Sequence, residues 1–338
     1  MNEIYTREEI KSIFNLSEKI NNEITSKEIT SYAKNKILIQ AFFEPSTRTS
    51  LSFECAMKRL GGEVITFNPN TSSKSKGESD MDTLKTLSNY GDAIVLRHPN
   101  NEFYYESKYE IKKPIINGGN GNEFHPTQAL LDLYTTYKKF NNDFQFKKYL
   151  FLGDIKNSRT IHSFINLLNL YPNTKIYFFP YKHCEPCEDY IINIQNIHGM
   201  INEKIVLQKN DIDYSEYDII YITRYQKERN SSKESQKVLS SQSRYFQSFK
   251  KGNADKMNEN AIILHPLPRN NELDTRIDEK KQAYYFNSLE YSIELRMALL
   301  YKIFEKSNSK RNIKKYLNYN LITYGIIIIT SMIAILKK

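Results

Sequence analysis

Cysteine is rare in this chain and tryptophan is absent: the 338 residues include three cysteines and no tryptophan. So few cysteines, in an odd number, argue against the disulfide framework that is typical of small secreted domains. The first ten residues mix charged and apolar side chains, a pattern that differs from a secretory signal peptide. No internal repeat is visible in the sequence. We therefore expect a cytoplasmic protein.

The net charge of +9, from 48 basic and 39 acidic residues, is compatible with three kinds of partner. Nucleic acid, a membrane surface and anionic small molecules would each be attracted by it. The positive charge is spread along the chain, apart from a basic stretch at Lys306–Lys315. Spread charge favours anionic small molecules, and we expect no nucleic acid partner.

Short apolar runs alternate with longer amphipathic stretches along most of the chain. The runs predict strands at Ile37–Phe43, Glu63–Phe67, Ala93–Leu96, Pro114–Asn117, Tyr149–Gly153, Lys175–Phe179, Ile205–Gln208, Tyr217–Thr223 and Ala261–Leu264. The amphipathic stretches predict helices at Thr49–Leu60, Met81–Tyr90, Pro126–Phe140, Ser158–Leu170, Glu188–His198 and Ser288–Phe304. Alternating strands and helices indicate parallel sheets with helices on both faces. We predict the α/β class, with two doubly wound parallel-sheet domains joined by long helices.

Two polar segments interrupt this alternation. Asn141–Lys148 follows a long predicted helix near the middle of the chain and predicts a domain boundary. Gln226–Asn260 has no apolar periodicity, and a connection of this length is usually a functional or a mobile loop. We expect a first domain at residues 1–140, which also recovers the helix at 288–305, and a second domain at residues 141–287.

A predicted strand leads directly into the polar segment Glu44–Thr49, and a predicted helix follows it. The segment brings Ser46, Thr47 and Thr49 to a helix start, where backbone N–H groups lack acceptors and the helix dipole is positive. Arg48 adds a bidentate donor that suits a phosphate. An ordinary Ser/Thr cap beside a surface arginine would have the same composition. The complete strand–loop–helix context favours the phosphate site.

Three more polar segments follow predicted strands or open a predicted helix. They are Arg97-His98-Pro99, His125-Pro126-Thr127-Gln128 and Thr223-Arg224-Tyr225-Gln226. Polar side chains at the carboxyl ends of parallel strands converge on the crevice where α/β proteins bind ligands. Each segment alone is more often a solvated charge or a helix cap. Their co-occurrence predicts one anion-binding site.

Five longer motifs carry a family resemblance. In chain order they are Phe43–Glu54 (FEPSTRTSLSFE), His125–Gln128 (HPTQ), Gly153–Thr160 (GDIKNSRT), Thr223–Arg229 (TRYQKER) and His265–Arg269 (HPLPR). Over about residues 1–305 the chain resembles the aspartate/ornithine carbamoyltransferases. Within that family it is similar to the catalytic chains that use aspartate. The ornithine-using members typically have a cysteine in the last motif, where this chain has Leu267.

The resemblance implies transfer of the carbamoyl group from carbamoyl phosphate to L-aspartate, the committed step of pyrimidine biosynthesis, without a cofactor or a metal. It implies that the phosphate is bound by Ser46, Thr47, Arg48 and Thr49. The carbonyl oxygen, which becomes an oxyanion, would be polarised by Thr49, Arg97 and His125. The carbamoyl NH2 would be held by Gln128 and by the backbone carbonyls of Leu267 and Pro268, with a cis bond between these two residues. The carboxylates of aspartate would be bound by Arg159, Arg224 and Gln226.

The polar loop Asn70–Glu78 reads by itself as a solvated turn. In the family, the matching Ser72 and Lys76 reach into the active site of the neighbouring subunit, which implies a homotrimer with shared active sites. There Lys76 would act in catalysis and on aspartate. Family members often have a second lysine directly before this one, where this chain has Ser75, and its other lysine is Lys74.

Two other functions compete with this prediction. One is a family member that uses a different amine acceptor, against which Arg224 and Gln226 argue. The other is a non-catalytic basic protein that binds nucleic acid or membrane and shows salt-sensitive binding to polyanions. Whether a regulatory chain binds is open.

Two further segments lie outside these motifs. Cys184-Glu185-Pro186-Cys187 opens a predicted helix, where a lowered thiol pKa would permit a redox or metal role, although an incidental surface loop is the simpler interpretation. The segment Leu321–Leu336 is uncharged and apolar, but at 16 residues it is shorter than the usual span of about 20. After the basic linker it would act either as a membrane anchor or as a helix that packs on protein.

Overall fold

The computed structural model of the chain describes residues 5–25, 32–121, 123–181, 183–188, 190–191, 205–207, 212–226 and 248–305. Three predictions fall wholly or largely outside these ranges. They are the helix at Glu188–His198, most of the polar loop at Gln226–Asn260 and the tail at 306–338. Among the described residues, no helix combines the length and the apolar character needed to cross a bilayer.

The N-terminal half contains a four-stranded sheet in which every pairing is parallel. Its strands are β1 (Ile37–Phe42), β2 (Glu63–Phe67), β3 (Ala93–His98) and β4 (Ile115–Asn120), in the spatial order β2-β1-β3-β4. Strands β1 and β3 are almost entirely buried, as expected of parallel strands with both faces covered. Gln40 is a buried polar residue of β1, and its side chain bonds to the backbone and hydroxyl of Ser50 at 2.8 and 2.6 Å.

Four helices accompany this sheet: α1 (Arg7–Thr25), α2 (Arg48–Arg59), α3 (Asp80–Tyr90) and α4 (Phe103–Glu110). The predictions of α2 and α3 are confirmed with small differences at their ends. Neither α1 nor α4 is among the predicted helices. In α1 the signal was present, because Ile10, Ile13 and Phe14 recur at helical spacing and are buried. In α4 three tyrosines and mixed charges leave little amphipathic pattern.

The C-terminal half contains a second, five-stranded parallel sheet. Its strands are β5 (Lys148–Gly153), β6 (Lys175–Pro180), β7 (Ile205–Leu207), β8 (Ile219–Ile222) and β9 (Ile262–Leu264), in the spatial order β7-β6-β5-β8-β9. Further helices among the described residues include α5 (Pro126–Phe140), α6 (Arg159–Leu168), the short α7 (Lys251–Ala254) and α8 (287–305). Each predicted strand is confirmed, again with small differences at the ends. The predicted fold class, two doubly wound parallel sheets, is therefore confirmed.

Long helices connect the two halves. Helix α5 leads from the first sheet towards the second and packs against α6. Helix α8 returns to the N-terminal half, where the buried Arg296 lies over the ring of Phe53 in α2 at 5.6 Å. The same guanidinium donates to the carbonyl of Thr127 in α5 at 3.3 Å. Burial lowers the pKa of Arg296 to about 10, so this side chain stays charged at neutral pH.

Both sheets have a topological switch point. In the first sheet the chain goes from β1 to β2 on one side and then to β3 and β4 on the other. In the second it goes from β5 to β6 and β7 on one side and then to β8 and β9 on the other. Ligands of α/β proteins bind at the carboxyl ends of the strands beside such a point. The strand ends of β1, β3, β5 and β8 are therefore where a site is expected.

Substitution of Gly153 at the end of β5 tests how closely β5 packs against the end of β8. Its φ of +114° is unfavourable for other residues, and an added Cβ would lie 2.2 Å from the carbonyl oxygen of Thr223. We expect Gly153→Ala to lower the free energy of unfolding by at least about 2 kcal/mol, because backbone strain and overpacking add. Gly252→Ala is the matched control, since a Cβ there meets nothing within 4 Å. Urea denaturation of both variants measures the difference, and equal stabilities would contradict it.

Candidate active site

One cavity of about 590 Å³ lies where the carboxyl ends of both sheets meet. Residues from the N-terminal half line it: Glu44, Pro45, Ser46, Thr47, Arg48, Thr49, Arg97, His125 and Gln128. Residues from the C-terminal half line it as well: Ser158, Arg159, Thr160, Thr223, Arg224, Gln226, His265, Pro266, Leu267 and Pro268. The structure thus brings together all of the predicted site residues except Ser72 and Lys76.

Positive charge dominates this cavity. Among the described residues, four arginines line it and Glu44 is the one acidic lining residue. Arg97 lies near the carboxyl end of β3, and the other three arginines follow β1, β5 and β8, so the parallel topology gathers cations that are far apart in sequence. A cavity with this excess of positive charge concentrates anions, and guanidinium groups bind planar carboxylates and phosphates bidentately.

The segment between β1 and α2 presents its backbone to the cavity. Thr47 occupies the N-cap position of α2 but makes no side-chain hydrogen bond to the helix. An ordinary Ser/Thr cap, the competing interpretation of this loop, would make that bond. The first N–H groups of α2 therefore remain available at the positive end of the helix dipole. Arg48 has no hydrogen-bond or ion-pair acceptor among the described residues.

Glu44 holds two of the arginines in position. Its Oε1 accepts from Nε of Arg97 at 2.7 Å and from Nη2 of Arg159 at 3.3 Å. The nearly buried Arg159 also donates through Nη1 to the carbonyl of Gly121. The two bonds of Arg159 cross from the C-terminal to the N-terminal half of the chain. Glu44 was not predicted as a functional residue, although it is the first residue of the polar segment Glu44–Thr49.

His125 is buried beside the same arginines. It forms the N-cap of α5, its backbone N–H donates to Ser163 at 2.9 Å, and its Nε2 lies 3.5 Å from the hydroxyl of Thr49. Burial, followed by the positive charges of Arg159, Arg97 and Arg296, holds the pKa of His125 well below its ordinary value. A neutral imidazole at this position can donate one hydrogen bond into the cavity but carries no charge there.

A buried carboxylate lies behind Gln128. Nε2 of Gln128 donates to Asp132 at 2.9 Å, and the other oxygen of Asp132 accepts from the hydroxyl of Tyr221 in β8 at 2.9 Å. Burial raises the pKa of Asp132 to about 7, although these two hydrogen bonds oppose the shift. The contact orients the amide of Gln128 towards the cavity. Its signal in the sequence was a carboxylate four residues after Gln128 on one helix face.

A buried histidine, His265, holds the loop after β9 through two hydrogen bonds. Nδ1 of His265 accepts from the N–H of Leu267 at 2.8 Å, so Nε2 carries the proton and donates to Glu272 at 2.9 Å. Burial lowers the pKa of His265, with Glu272 opposing the shift. The bond between Leu267 and Pro268 is cis, as the family resemblance implies. Glu272, seven residues after the histidine, was not predicted.

The segment after β8 is fixed by another buried carboxylate. The backbone N–H of Gln226 donates to Asp154 at 3.0 Å, and the side chain of Gln226 donates to the carbonyl of Arg224 at 3.4 Å. Arg224 itself donates to the carbonyl of Tyr225 at 3.2 Å. Asp154 is completely buried at the end of β5 and was not predicted as a site residue.

The loop with Ser72 and Lys76 lies outside the cavity of its own chain. Ser72 caps a short 3-10 helix, accepts from the N–H of Lys74 and donates to the carbonyl of Pro69. Lys76 is exposed and has no partner among the described residues.

The two cysteines at 184 and 187 differ in environment. Cys184 is buried and Cys187 is exposed. Burial, followed by the charge of Asp154, raises the pKa of the Cys184 thiol. The lowered thiol pKa considered from the sequence is therefore wrong for Cys184, and this side chain is a poor nucleophile.

The two buried histidines predict a pH dependence of stability. Because folding lowers their pKa values, the unfolded chain binds protons that the folded chain rejects as pH falls below about 6.5. This proton uptake lowers the free energy of unfolding between pH 7 and pH 5, whereas the raised pKa of Asp132 acts in the opposite direction, so substitution is needed to isolate the histidine contribution. His125→Asn should reduce that decrease by up to about 1.4 kcal/mol per pH unit. Denaturation followed by circular dichroism at both pH values measures it, with the exposed His183→Asn as control. An unchanged slope in His125→Asn would contradict the expectation.

Comparison with known proteins agrees with this geometry. Residues 2–138 match the family described as "Aspartate/ornithine carbamoyltransferase, carbamoyl-P binding domain", and residues 145–303 match "Aspartate/ornithine carbamoyltransferase, Asp/Orn binding domain". The chain is 38% identical over 305 residues to the aspartate carbamoyltransferase catalytic subunit of Methanocaldococcus jannaschii, covering 90% of this chain and 96% of the relative. It is 39% identical over 300 residues to that of Clostridium novyi, covering 88% and 95%.

Solved structures give the same result. The fold is similar to aspartate transcarbamoylase from Trypanosoma cruzi in complex with carbamoyl phosphate and aspartate, with a TM-score of 0.81 and 32% identity over 88% of this chain and 93% of that one. It is also similar to the catalytic subunit from M. jannaschii, with a TM-score of 0.78 and 37% identity over 90% and 96%. With both halves matched and the site residues gathered in one cavity, the chain belongs to the aspartate/ornithine carbamoyltransferase family.

Proposed function

We propose that this chain is an aspartate carbamoyltransferase, which transfers the carbamoyl group of carbamoyl phosphate to the amine of L-aspartate. The products are N-carbamoyl-L-aspartate and phosphate, in the committed step of pyrimidine biosynthesis. The observation that carries the proposal is the cavity itself, in which four arginines from both halves surround a neutral histidine and a helix N-terminus. Both substrates are anions, and this cavity has the charge to hold them together.

The phosphate end of carbamoyl phosphate would lie at the start of α2. There the free N–H groups of the helix, the hydroxyls of Ser46 and Thr47, and Arg48 offer converging donors. Arg48 is available for this role because its guanidinium has no acceptor among the described residues. Binding the departing phosphate also stabilises the charge that it gains in the reaction.

The carbonyl oxygen would be polarised by Thr49, Arg97 and His125. As the amine nitrogen of aspartate forms a bond to the carbonyl carbon, this oxygen becomes negative, and preorganised donors then stabilise it. The intermediate collapses with cleavage of the carbon–oxygen bond to phosphate, and the departing phosphate takes up the amine proton. No side chain has to act as a covalent nucleophile, so positioning and electrostatics supply the rate gain.

The carbamoyl NH2 needs acceptors, and three are within the cavity lining. The side-chain oxygen of Gln128 is oriented by the bond of its amide nitrogen to Asp132. The backbone carbonyls of Leu267 and Pro268 belong to the loop that His265 and Glu272 hold. Holding the NH2 would fix the carbonyl carbon in line with the incoming amine.

Aspartate would be bound by Arg159, Arg224 and Gln226 from the C-terminal half. Two guanidinium groups suit a dicarboxylate, whereas the side-chain ammonium of ornithine would be repelled by them. We assign the carbamoyl phosphate domain to residues 1–140 with 288–305, because α8 packs on α2 and α5. The aspartate domain then comprises residues 141–287.

We further propose a homotrimer with shared active sites. Lys76 supports it, because this exposed lysine has no partner among the described residues of its own chain and can bind an anion in the next one. Ser72 would accompany it. The cytoplasmic location and the membrane contact through Leu321–Leu336 stay predictions.

Substitutions in the cavity test the proposed reaction. Arg48→Ala and His125→Ala should each lower kcat/KM for carbamoyl transfer by about 100-fold or more, since each removes a donor to developing charge. Arg276→Ala is a matched control for Arg48→Ala, because Arg276 is exposed and pairs with Asp274 away from the cavity. Near-normal turnover of either cavity variant would contradict the assignment.

Replacing aspartate by ornithine should abolish product formation, and use of ornithine would reassign the acceptor.

Mixed trimers test the shared site. Lys76→Ala and Arg48→Ala should each be inactive alone, but every mixed trimer contains one site with both residues intact. Random reassembly of equal amounts should therefore restore about one quarter of wild-type turnover. The readout is carbamoyl aspartate formed after the two variants are dissociated and mixed. If the mixture stays as inactive as its components, each site is built from a single chain.

A further inference from the structure

The lysines at positions 74 and 76 are two residues apart but have opposite environments. Lys76 is exposed and without a partner in the part of the chain that the structure describes. The side chain of Lys74 is turned inward and is 29% exposed. Its Nζ lies 2.5 Å from Oδ1 of Asp80 at the start of α3 and 5.0 Å from the centre of the Phe43 ring. Lys74 therefore contacts its own chain on two sides.

Asp80 extends this contact to the first sheet. Its Oδ2 lies 2.9 Å from Nε2 of His98, whose Nδ1 accepts from the N–H of Asn100 at 3.1 Å. Because Nδ1 is an acceptor, Nε2 carries the proton and donates to Asp80. The His98 ring is buried and stacks on Phe103 with centroids 3.9 Å apart. Burial opposes ionisation of Asp80, but hydrogen bonds from Lys74 and His98 keep its pKa below the ordinary value.

Two residues of this contact, Phe43 and His98, are next in sequence to residues that line the cavity. Phe43 precedes Glu44, and His98 follows Arg97, the two residues whose side chains meet at 2.7 Å on the cavity side. Within β3, Arg97 makes the cavity bridge and the adjacent His98 makes the loop contact. Directly after β1, Glu44 makes the cavity bridge and the adjacent Phe43 makes the loop contact. A shift of the loop would act on the segments that carry Glu44 and Arg97.

We propose that Lys74 is a positioning residue: the Lys74–Asp80–His98 bridge fixes the loop at 69–77 so that Lys76 faces outward and serves the cavity of the neighbouring chain. The inference rests on the proposed function. It assigns Lys76 alone to the anionic substrate, an acidic amino acid or a phosphate compound. Lys74, the displaced second lysine, acts within its own chain and does not touch substrate.

Paired substitutions separate positioning from direct binding. Lys74→Met and Asp80→Asn should each lower kcat/KM by about 10-fold, and the double variant should be no worse than either, since partners in one contact are not additive. Lys74→Arg should retain most activity because it keeps the bridge. The control is Lys85→Met with Glu110→Gln, an exposed pair at 2.8 Å that also involves α3, and it should be neutral. A defect confined to Lys74→Met, with Asp80→Asn as active as wild type, would overturn the proposal.

Mixed trimers then locate the defect. A Lys74→Met chain has a faulty loop and an intact cavity, so mixing it with Arg48→Ala should raise turnover above the mean of the two components. Mixing it with Lys76→Ala should give no gain, because both chains donate a faulty loop. The reverse pattern would show that Lys74 acts in its own cavity and would overturn the proposal. Thermal denaturation of each variant checks that the fold is retained, and Asp80→Asn replaces Lys74→Met in the mixtures if that variant does not fold.

These outcomes are distinguishable from failure of the proposed function. A wild-type protein without carbamoyl transfer would reject the function. A wild-type protein that is active, together with fully active Lys74→Met, would reject only the bridge. An active wild type whose Lys76→Ala and Arg48→Ala variants fail to complement would reject the shared site and the bridge with it.

Discussion

Repulsion among cations is the constraint that the rest of this structure resolves. Four arginines line one cavity, and without compensation their mutual repulsion would open it. Glu44 reduces that repulsion by accepting from Arg97 and Arg159 with a single carboxylate oxygen. Because these two arginines come from different sheets, the same carboxylate also holds the two halves of the chain together. Arg48 has no such partner within the described ranges of the chain and so keeps its capacity for an external anion.

The parallel topology explains why short polar segments that are far apart in the sequence form one cavity. The strand order of each sheet reverses once, and the cavity at that point is lined by Arg97 near the end of β3 and by the segments after β1, β5 and β8. Residues far apart in sequence therefore meet without long excursions of the chain. Buried carboxylates behind the lining, Asp132, Asp154 and Glu272, then orient the amides and backbone groups that face the ligand.

The strands, most helices and the cavity residues could be predicted because their signals are local. An apolar run, a polar segment and an amphipathic stretch in that order determine a strand, a loop and a helix. The supporting residues could not be predicted in the same way. The roles of Glu44, Asp154 and Glu272 depend on hydrogen-bond partners that only the folded structure brings close. In the sequence, nothing distinguishes these carboxylates from surface ones. The family resemblance selects Lys76, but the sequence does not show what Lys74 contacts, and the structure supplies its partners Asp80 and Phe43. Helix α1, by contrast, was missed although its apolar spacing was visible.

The positive charge that attracts the anionic substrates also determines the protonation state of His125. The arginines beside it and its burial keep the imidazole neutral, so it cannot donate a full proton to an oxyanion at neutral pH. A neutral donor beside charged ones is nevertheless well suited to a transient negative oxygen. Its hydrogen bond strengthens as the charge on the oxygen develops, and the donor is already in place and does not have to reorganise. A protonated histidine would instead add a fifth cation to the cavity and would be destabilised by the other four. The chemistry of His125 thus follows from the same cluster of charge that Glu44 makes tolerable.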